Sequence, residues 1–370
     1  MSNNKYEGGI FISVEPQIIV KKRASEQINI NPNYAGDIAI IGAFDSEITD
    51  LTVCTNVTEA KTKFGVMETE GNFKGTDAIP LLFTGASSLL VANITTYTTG
   101  DNPEAETTLT DTKLRDALNK LHHVDFDILF IADELSDSQQ EIVTAWLDAE
   151  FEAKYPHGQV AELTKSTAAA YETSVSKFSD KIFYINTQVF GFNGETLSLN
   201  RSTALMAGFI AGTQTNLSLT NKEITGITSV SPEYSTAAGE LGAALLSLNI
   251  PFLKRRFISS RKQNVFYCVN SQLPDGFDIY IYRIRDQILK DIQAEIIIGQ
   301  QNDEVTENGV ITLMEGLKQR YVQDYGRVND IKYHIEDDPD NSQCINIVID
   351  EIVFNDIITL VNIYYNIRVE

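Results

Sequence analysis

From Val361 to Glu370 apolar and polar positions alternate residue by residue. Val361, Ile363, Tyr365, Ile367 and Val369 fall on one side, and Asn362, Tyr364, Asn366, Arg368 and Glu370 on the other. A period of two is the mark of a half-buried β-strand. Near the other end, Gly8-Gly9 leads into Ile10, Ile12 and Val14, which alternate with Phe11, Ser13 and Glu15. Chain ends seldom hold order without a partner, so each strand is expected to join a sheet edge. Joining the sheet of another copy would build a polymer. The pattern thus predicts extended strand arms at residues 1–20 and 356–370 of an assembly subunit.

Between the arms the pattern changes repeatedly. After the basic linker Lys21-Lys22-Arg23-Ala24-Ser25, Asp37 to Phe44 is a short apolar run bounded by Gly36 and Asp45, the form of a buried strand. Thr55 to Phe64 reads as a helix with Val57, Ala60 and Phe64 on one side and Gly65 as its C-terminal stop. A short helix over Ala78 to Thr84 and a strand over Ser88 to Thr95 complete a small mixed β domain, residues 21–95.

The turn-rich stretch from Thr96 to Glu106 predicts a boundary. Helices at Leu114 to Leu121, Ser136 to Lys154 and Leu199 to Gly212 then alternate with strands at Asp127 to Ala132, Gln159 to Leu163 and Lys181 to Phe190. That rhythm predicts a central α/β domain with parallel pairing, residues 96–234. An α+β domain, residues 235–355, is expected from an apolar helix over Ala237 to Leu248 and strands over Phe252 to Ser259 and Val265 to Asn270. It continues with helices over Tyr280 to Ile298 and Gly309 to Tyr325, the first carrying Ile281, Ile284, Ile288 and Ile292 as a stripe. Strands over Ile331 to Ile335 and Cys344 to Val353 follow.

Composition narrows the function. A chain of 370 residues with 43% hydrophobic content suits two or three folded domains. The net charge of −22 argues against a general nucleic-acid binder or an anionic-membrane binder. Cys54, Cys268 and Cys344 lie far apart with no C-x-x-C, so they read as buried small hydrophobes rather than a disulfide framework or a zinc site. No signal peptide and no membrane-spanning run is expected, which implies synthesis in a cytoplasm.

Candidate chemistry is sparse. Arg201 to Ala207 (RSTALMA) is similar to the nucleophile helix of subtilisins, with Ser202 as the hydroxyl, but none of His122, His123, His157 and His334 sits in a glycine-rich active-site context. Ser202 therefore reads as a capping or packing residue, and His122-His123 as the end of a helix. Glu336-Asp337-Asp338-Pro339-Asp340-Asn341 reads as a turn between strands rather than a calcium loop, because it lacks the EF-hand glycine and distal glutamate. Gly191-Phe192-Asn193-Gly194 lacks the following Gly-Lys-Ser/Thr of a phosphate loop. No catalytic residue, metal or cofactor is expected. One charge feature stands out: Leu241 to Pro274 contains no acidic residue but includes Lys254, Arg255, Arg256, Arg261 and Lys262. This island is either solvent-facing charge or an interface for acidic surfaces of neighbouring copies.

Taken in order, these segments resemble the contractile tail sheath proteins of myophages, R-type bacteriocins and related injection machines. Gly9-Ile10-Phe11-Ile12 is similar to the family's N-terminal arm, and DIAIIGAF followed by Val57 to Gly65 is similar to its strand, loop and helix. Ala78 to Val91 and Ala207 to Thr213, followed by Ser218 to Lys222, extend the resemblance over nearly the whole chain, with Gly85-Ala86 where a glycine pair is usual. The resemblance implies a subtilisin-like, non-catalytic central domain and a helical homopolymer around a tail tube, with baseplate and tail terminator proteins as further partners. It also implies assembly in a bacterial cytoplasm within a phage tail or phage-tail-like particle. Lys318, Arg320 and Arg327 become candidates for facing the tube. Competing readings are a subtilisin-like hydrolase with an unusual site and a surface-array protein.

Overall fold

A computed structural model describes residues 36–66, 71–98, 104–153, 155–215, 217–261, 263–295, 304–324, 326, 328–337 and 345–354. Strands β1 (Ile38–Gly42) and β2 (Thr52–Cys54) precede helices α1 (Val57–Phe64) and α2 (Lys74–Leu82), and β3 (Leu89–Asn93) follows. A short pair, β4 (Thr96–Tyr97) and β5 (Ala105–Glu106), leads into α3 (Asp111–Lys120), β6 (Ile128–Ile131), α4 (Asp137–Glu152), β7 (Gly158–Glu162), α5 (Ala168–Val175) and β8 (Ile182–Asn186). Next come β9 (Val189–Phe192), β10 (Glu195–Thr196), α6 (Leu199–Ala211), β11 (Ile227–Ser231), α7 (Leu241–Ser247), β12 (Leu253–Ile258) and β13 (Gln263–Cys268). The last elements are α8 (Ile279–Glu295), α9 (Glu304–Lys318), β14 (Val328–Asp337) and β15 (Ile345–Phe354).

Six strands form one sheet in the order β2-β3-β1-β6-β7-β8, parallel except for β2. The boundary expected near residue 96 runs through the middle of this sheet, because β1 pairs with β6 in the register Ile38↔Ile128. A buried strand needs its backbone groups satisfied on both edges, and β3 and β6 supply the two edges of β1. The two-residue period then sends side chains to opposite faces. Ile38, Ile40, Val91 and Phe130 pack with α1, α2 and α6. Ala39, Ile41, Leu90 and Leu129 pack with α3 and α4. The result is a mixed α/β fold with helices on both faces of its main sheet.

Local signals explain the helix starts. Asn56 caps α1 by accepting from the Glu59 N–H, and Gly65 ends that helix with φ 87°. Ser136 and Gln139 form a capping box on α4. Helices α2 and α6 approach so closely that a Cβ on Gly208 would lie 2.4 Å from the Leu81 carbonyl oxygen, and one on Gly85 would lie 2.1 Å from that of Gly208.

The strand expected over Lys181 to Phe190 is two strands. Asn186 accepts from the Gln188 N–H at 3.2 Å and donates to the Gln188 carbonyl at 2.9 Å, and this turn ends β8 and starts β9 in a different sheet with β10 and β11. Asn193 (φ 51°) and Gly194 (φ 85°) form the two-residue loop between β9 and β10, so Gly191 to Gly194 is a hairpin turn. Helix α7 starts at Leu241 rather than Ala237, after Gly239 at φ 88°. Helix α9 continues into a π-helical turn over Gln319–Asp324.

Helices α8 and α9 pack with the ribbon β14–β15 around Ile284, Ile288, Met314, Leu317, Tyr321 and Ile331. Helix α8 also reaches the main sheet: Arg283 donates to the Thr213 carbonyl at 2.8 Å, and Lys290 pairs with Asp125 and Asp127.

Candidate assembly surface

Among the described residues the ribbons β12–β13 and β14–β15 have no further strand beside β12, β14 or β15, whereas Thr220 and Glu223 bridge the outer edge of β13. The backbone edges of β12, β14 and β15 are the groups a strand from another copy would need. The first ribbon carries the basic island. Leu253 at its start is buried and held at both backbone atoms by Gln188, while Lys254, Arg255, Arg256 and Phe257 continue outward along β12. Phe257 is 61% exposed, an unusual place for a phenyl ring.

The island's charges have partners inside the chain. Lys254 donates to the Thr236 hydroxyl at 3.1 Å, Arg255 lies 3.5 Å from Glu233, and Arg261 lies 3.0 Å from Glu223. Arg256 stacks over the Tyr267 ring at 4.1 Å. Lys262 lies outside the described residues. Lys318 pairs with Asp330 at 2.8 Å and Arg320 with Asp291 at 3.5 Å. Thus acidic residues distant in sequence, Glu223 and Glu233 among them, neutralise part of a patch that is purely basic in local sequence.

The second ribbon is longer, with ten residues in each strand, and it rests on α9 by Tyr333, Ile347, Ile349 and Ile352. An open groove of about 500 Å³ runs between β14 and α9, lined by Ile311, Glu315, Lys318, Ile331, Lys332, Tyr333, His334 and Ile335. On the solvent face His334 bonds Asp350 at 2.9 Å, and that hydrogen bond raises its pKa. The acidic turn beyond β14 lies mostly outside the described residues. So do Arg327 and both predicted arms, Ile10, Phe11, Ile12 and Val14 at one end and Val361, Ile363, Tyr365, Ile367 and Val369 at the other.

Ser202 is fully buried near the start of α6. Its hydroxyl donates to the Ser198 carbonyl at 2.8 Å and accepts from the Phe190 N–H at 2.9 Å. That is a packing arrangement, and it ties α6 to β9. Cys54 and Cys268 are buried thiols, and burial pushes Cys268 up to about 12.

The sequence matches no protein-family model and no curated protein. Its fold has clear counterparts. The crystal structure of a sheath tail protein from Desulfitobacterium hafniense superposes with a TM-score of 0.64 at 12% identity, covering 92% of this chain and all of that one (100%). The helical sheath of the anti-feeding prophage in its contracted state also gives 0.64, at 15% identity, over 96% of this chain and 99% of that one. The chain has the sheath tail protein fold. A sheath tail protein from Listeria innocua gives 0.58 at 13% identity, covering 82% of this chain and 89% of the other. These likenesses extend the shared fold over 82 to 96% of this chain.

Proposed function

We propose that the chain is the structural subunit of a contractile tail sheath, polymerising helically around an inner tube and contracting to drive that tube through a cell envelope. The observation that carries this reading is the likeness to the contracted anti-feeding prophage sheath over 96% of this chain. Its partners are further copies of itself, the tube protein, and the baseplate and terminator proteins at the ends of the tube. Assembly takes place in a bacterial cytoplasm, within a phage tail or phage-tail-like particle. The main sheet, with helices on both faces, supports a non-catalytic subtilisin-like central domain. The saturated Ser202 hydroxyl favours a structural role over hydrolysis.

Neighbours are linked by strand addition. The ten residues 361–370 match the length of β14 and β15, and the groove between β14 and α9 gives the added strand a mixed seat, with Ile311, Ile331 and Ile335 beside Glu315 and Lys318. Such head-to-tail contacts propagate as an open helix, and backbone pairing tolerates rotation of the bodies when the arms act as hinges. The net charge of −22 opposes association, so backbone pairing and shape must outweigh it.

Negative-stain electron microscopy of the purified chain tests this directly. Long tubes with a wide bore are expected, and deletion of residues 362–370 should leave folded monomers that form none. Tubes of normal length from the truncated chain would refute strand addition by that arm. Monomers from the intact chain under all salt conditions, with and without tube protein, would count against the sheath reading itself.

A further inference from the structure

Three of the four histidines converge on one buried carboxylate. The His122 Nδ1 contacts Glu150 Oε1, the His123 backbone N–H donates to Glu150 Oε2 at 3.0 Å, and the His157 Nε2 lies 3.9 Å from that same oxygen. The Glu150 side chain is fully buried, whereas that of His122 is 53% exposed, so the group has a solvent-facing mouth and a closed floor. Ligand atoms of His122, His123 and Glu150 all lie within 4.8 Å of one another.

The surroundings fix this geometry. His123 has φ 58°, a left-handed backbone uncommon outside glycine. The two consecutive rings stack with centroids 3.7 Å apart, and Tyr155 stacks on His123 from 4.9 Å.

His157 supplies an independent observation. Its Nδ1 lies 2.9 Å from the Phe126 carbonyl oxygen, which only accepts, so Nδ1 donates there and Nε2 is the nitrogen left over. The Nε2 faces the Glu150 carboxylate at 3.9 Å, beyond hydrogen-bond distance, and has no hydrogen-bond partner among the described residues. The ring cannot turn away, because it is 1% exposed and stacked on Phe126 at 3.8 Å and Trp146 at 5.6 Å. This unpartnered buried nitrogen beside a buried carboxylate is an observation separate from the His122–His123–Glu150 cluster.

We infer that His122, His123 and Glu150 bind a divalent transition ion of the zinc class, with a fourth position open to water and the buried His157 ring behind the carboxylate. Imidazole nitrogen with one carboxylate oxygen suits zinc rather than the all-oxygen shells of calcium or magnesium. Bound there, the ion would tie the turn after α3 to the last helical turn of α4.

The test uses untagged full-length protein stripped with chelator and then given zinc chloride alone. One zinc per chain is expected by calorimetry, together with a higher melting temperature. Cobalt(II) chloride in place of zinc should give the intense visible absorption of a four-coordinate site. The His122→Ala/His123→Ala double variant, whose changes lie at the surface, should retain its circular dichroism and lose at least tenfold in affinity, while His334→Ala should bind like the unaltered chain. Zinc binding undiminished in the double variant, or no binding together with no cobalt spectrum in the unaltered chain, would overturn the inference.

Discussion

Lys290 and Asp127 are 163 residues apart in the chain, yet the Lys290 Nζ lies 2.8 Å from the Asp127 Oδ1. The same ammonium is 2.8 Å from Asp125 and also donates to the Phe126 carbonyl. Burial alone would push the lysine down, but the two carboxylates outweigh it and leave its pKa raised. One side chain thus fastens α8 to the N-terminal edge of the main sheet.

Replacing this lysine should loosen that junction. Lys290→Met leaves Asp127 without its ammonium partner and the Phe126 carbonyl with His157 as its side-chain donor, and a loss of about 1–3 kcal/mol is expected, since the carboxylates are partly solvated. Urea denaturation reads the loss. Hydrogen exchange should place the added opening in α8, and Asp125→Asn, at a carboxylate 72% exposed, should change little.

Gly208 and Gly316 should respond oppositely to alanine. At Gly208 the new Cβ would meet the Leu81 and Leu82 carbonyl oxygens at 2.4 and 2.6 Å, so α2 and α6 must separate. A destabilisation of about 1–3 kcal/mol is expected. At Gly316 nothing lies within 4 Å, and alanine should stabilise α9 by about 0.5–1 kcal/mol. Thermal melts of the two variants check both signs.

Glu162, at the C-terminal end of β7, carries a pH dependence. Burial pushes its carboxyl up to about 7, Lys74 offsets part of this, and its Oε2 has no hydrogen-bond partner among the described residues. Between the ordinary value of 4.5 and about 7 the folded chain holds a proton that the unfolded chain has released. Stability therefore falls as pH rises through that window. Glu162→Gln should stabilise the protein by about 1–3 kcal/mol at pH 8 and by little near pH 4, as read from denaturation midpoints.

Ser202 should behave as a structural hydroxyl. Ser202→Ala strips the buried Phe190 N–H of its acceptor, at an expected cost of about 1–3 kcal/mol. A fluorophosphonate probe should leave the unaltered protein unlabelled. Covalent labelling at Ser202 would revive the hydrolase reading.

Much of the architecture is legible in local patterns. The apolar runs of β1, β3 and β6 and the Ile284–Ile288–Ile292 stripe of α8 lie where their periods put them. The caps at Asn56 and Ser136 start helices where their side chains reach the free N–H groups. Helix α5, opened by Ala168-Ala169-Ala170, has no strong apolar stripe, and β11 is short and mostly polar, so neither stands out in the sequence.

The sequence by itself determined the sheath-like order of parts, the two-faced strands and a basic island free of acidic residues over 34 positions, 241 to 274 inclusive. Periodicity and capping involve groups only a few residues apart, so they can be read along the chain. Only the tertiary structure decided that β1 lies between β3 and β6, that Glu223 and Glu233 partner the island, and that His122, His123 and His157 gather on Glu150. Those relations arise where the backbone groups of buried strands and the charges of buried side chains must find partners, and such partners come from wherever packing brings the chain back.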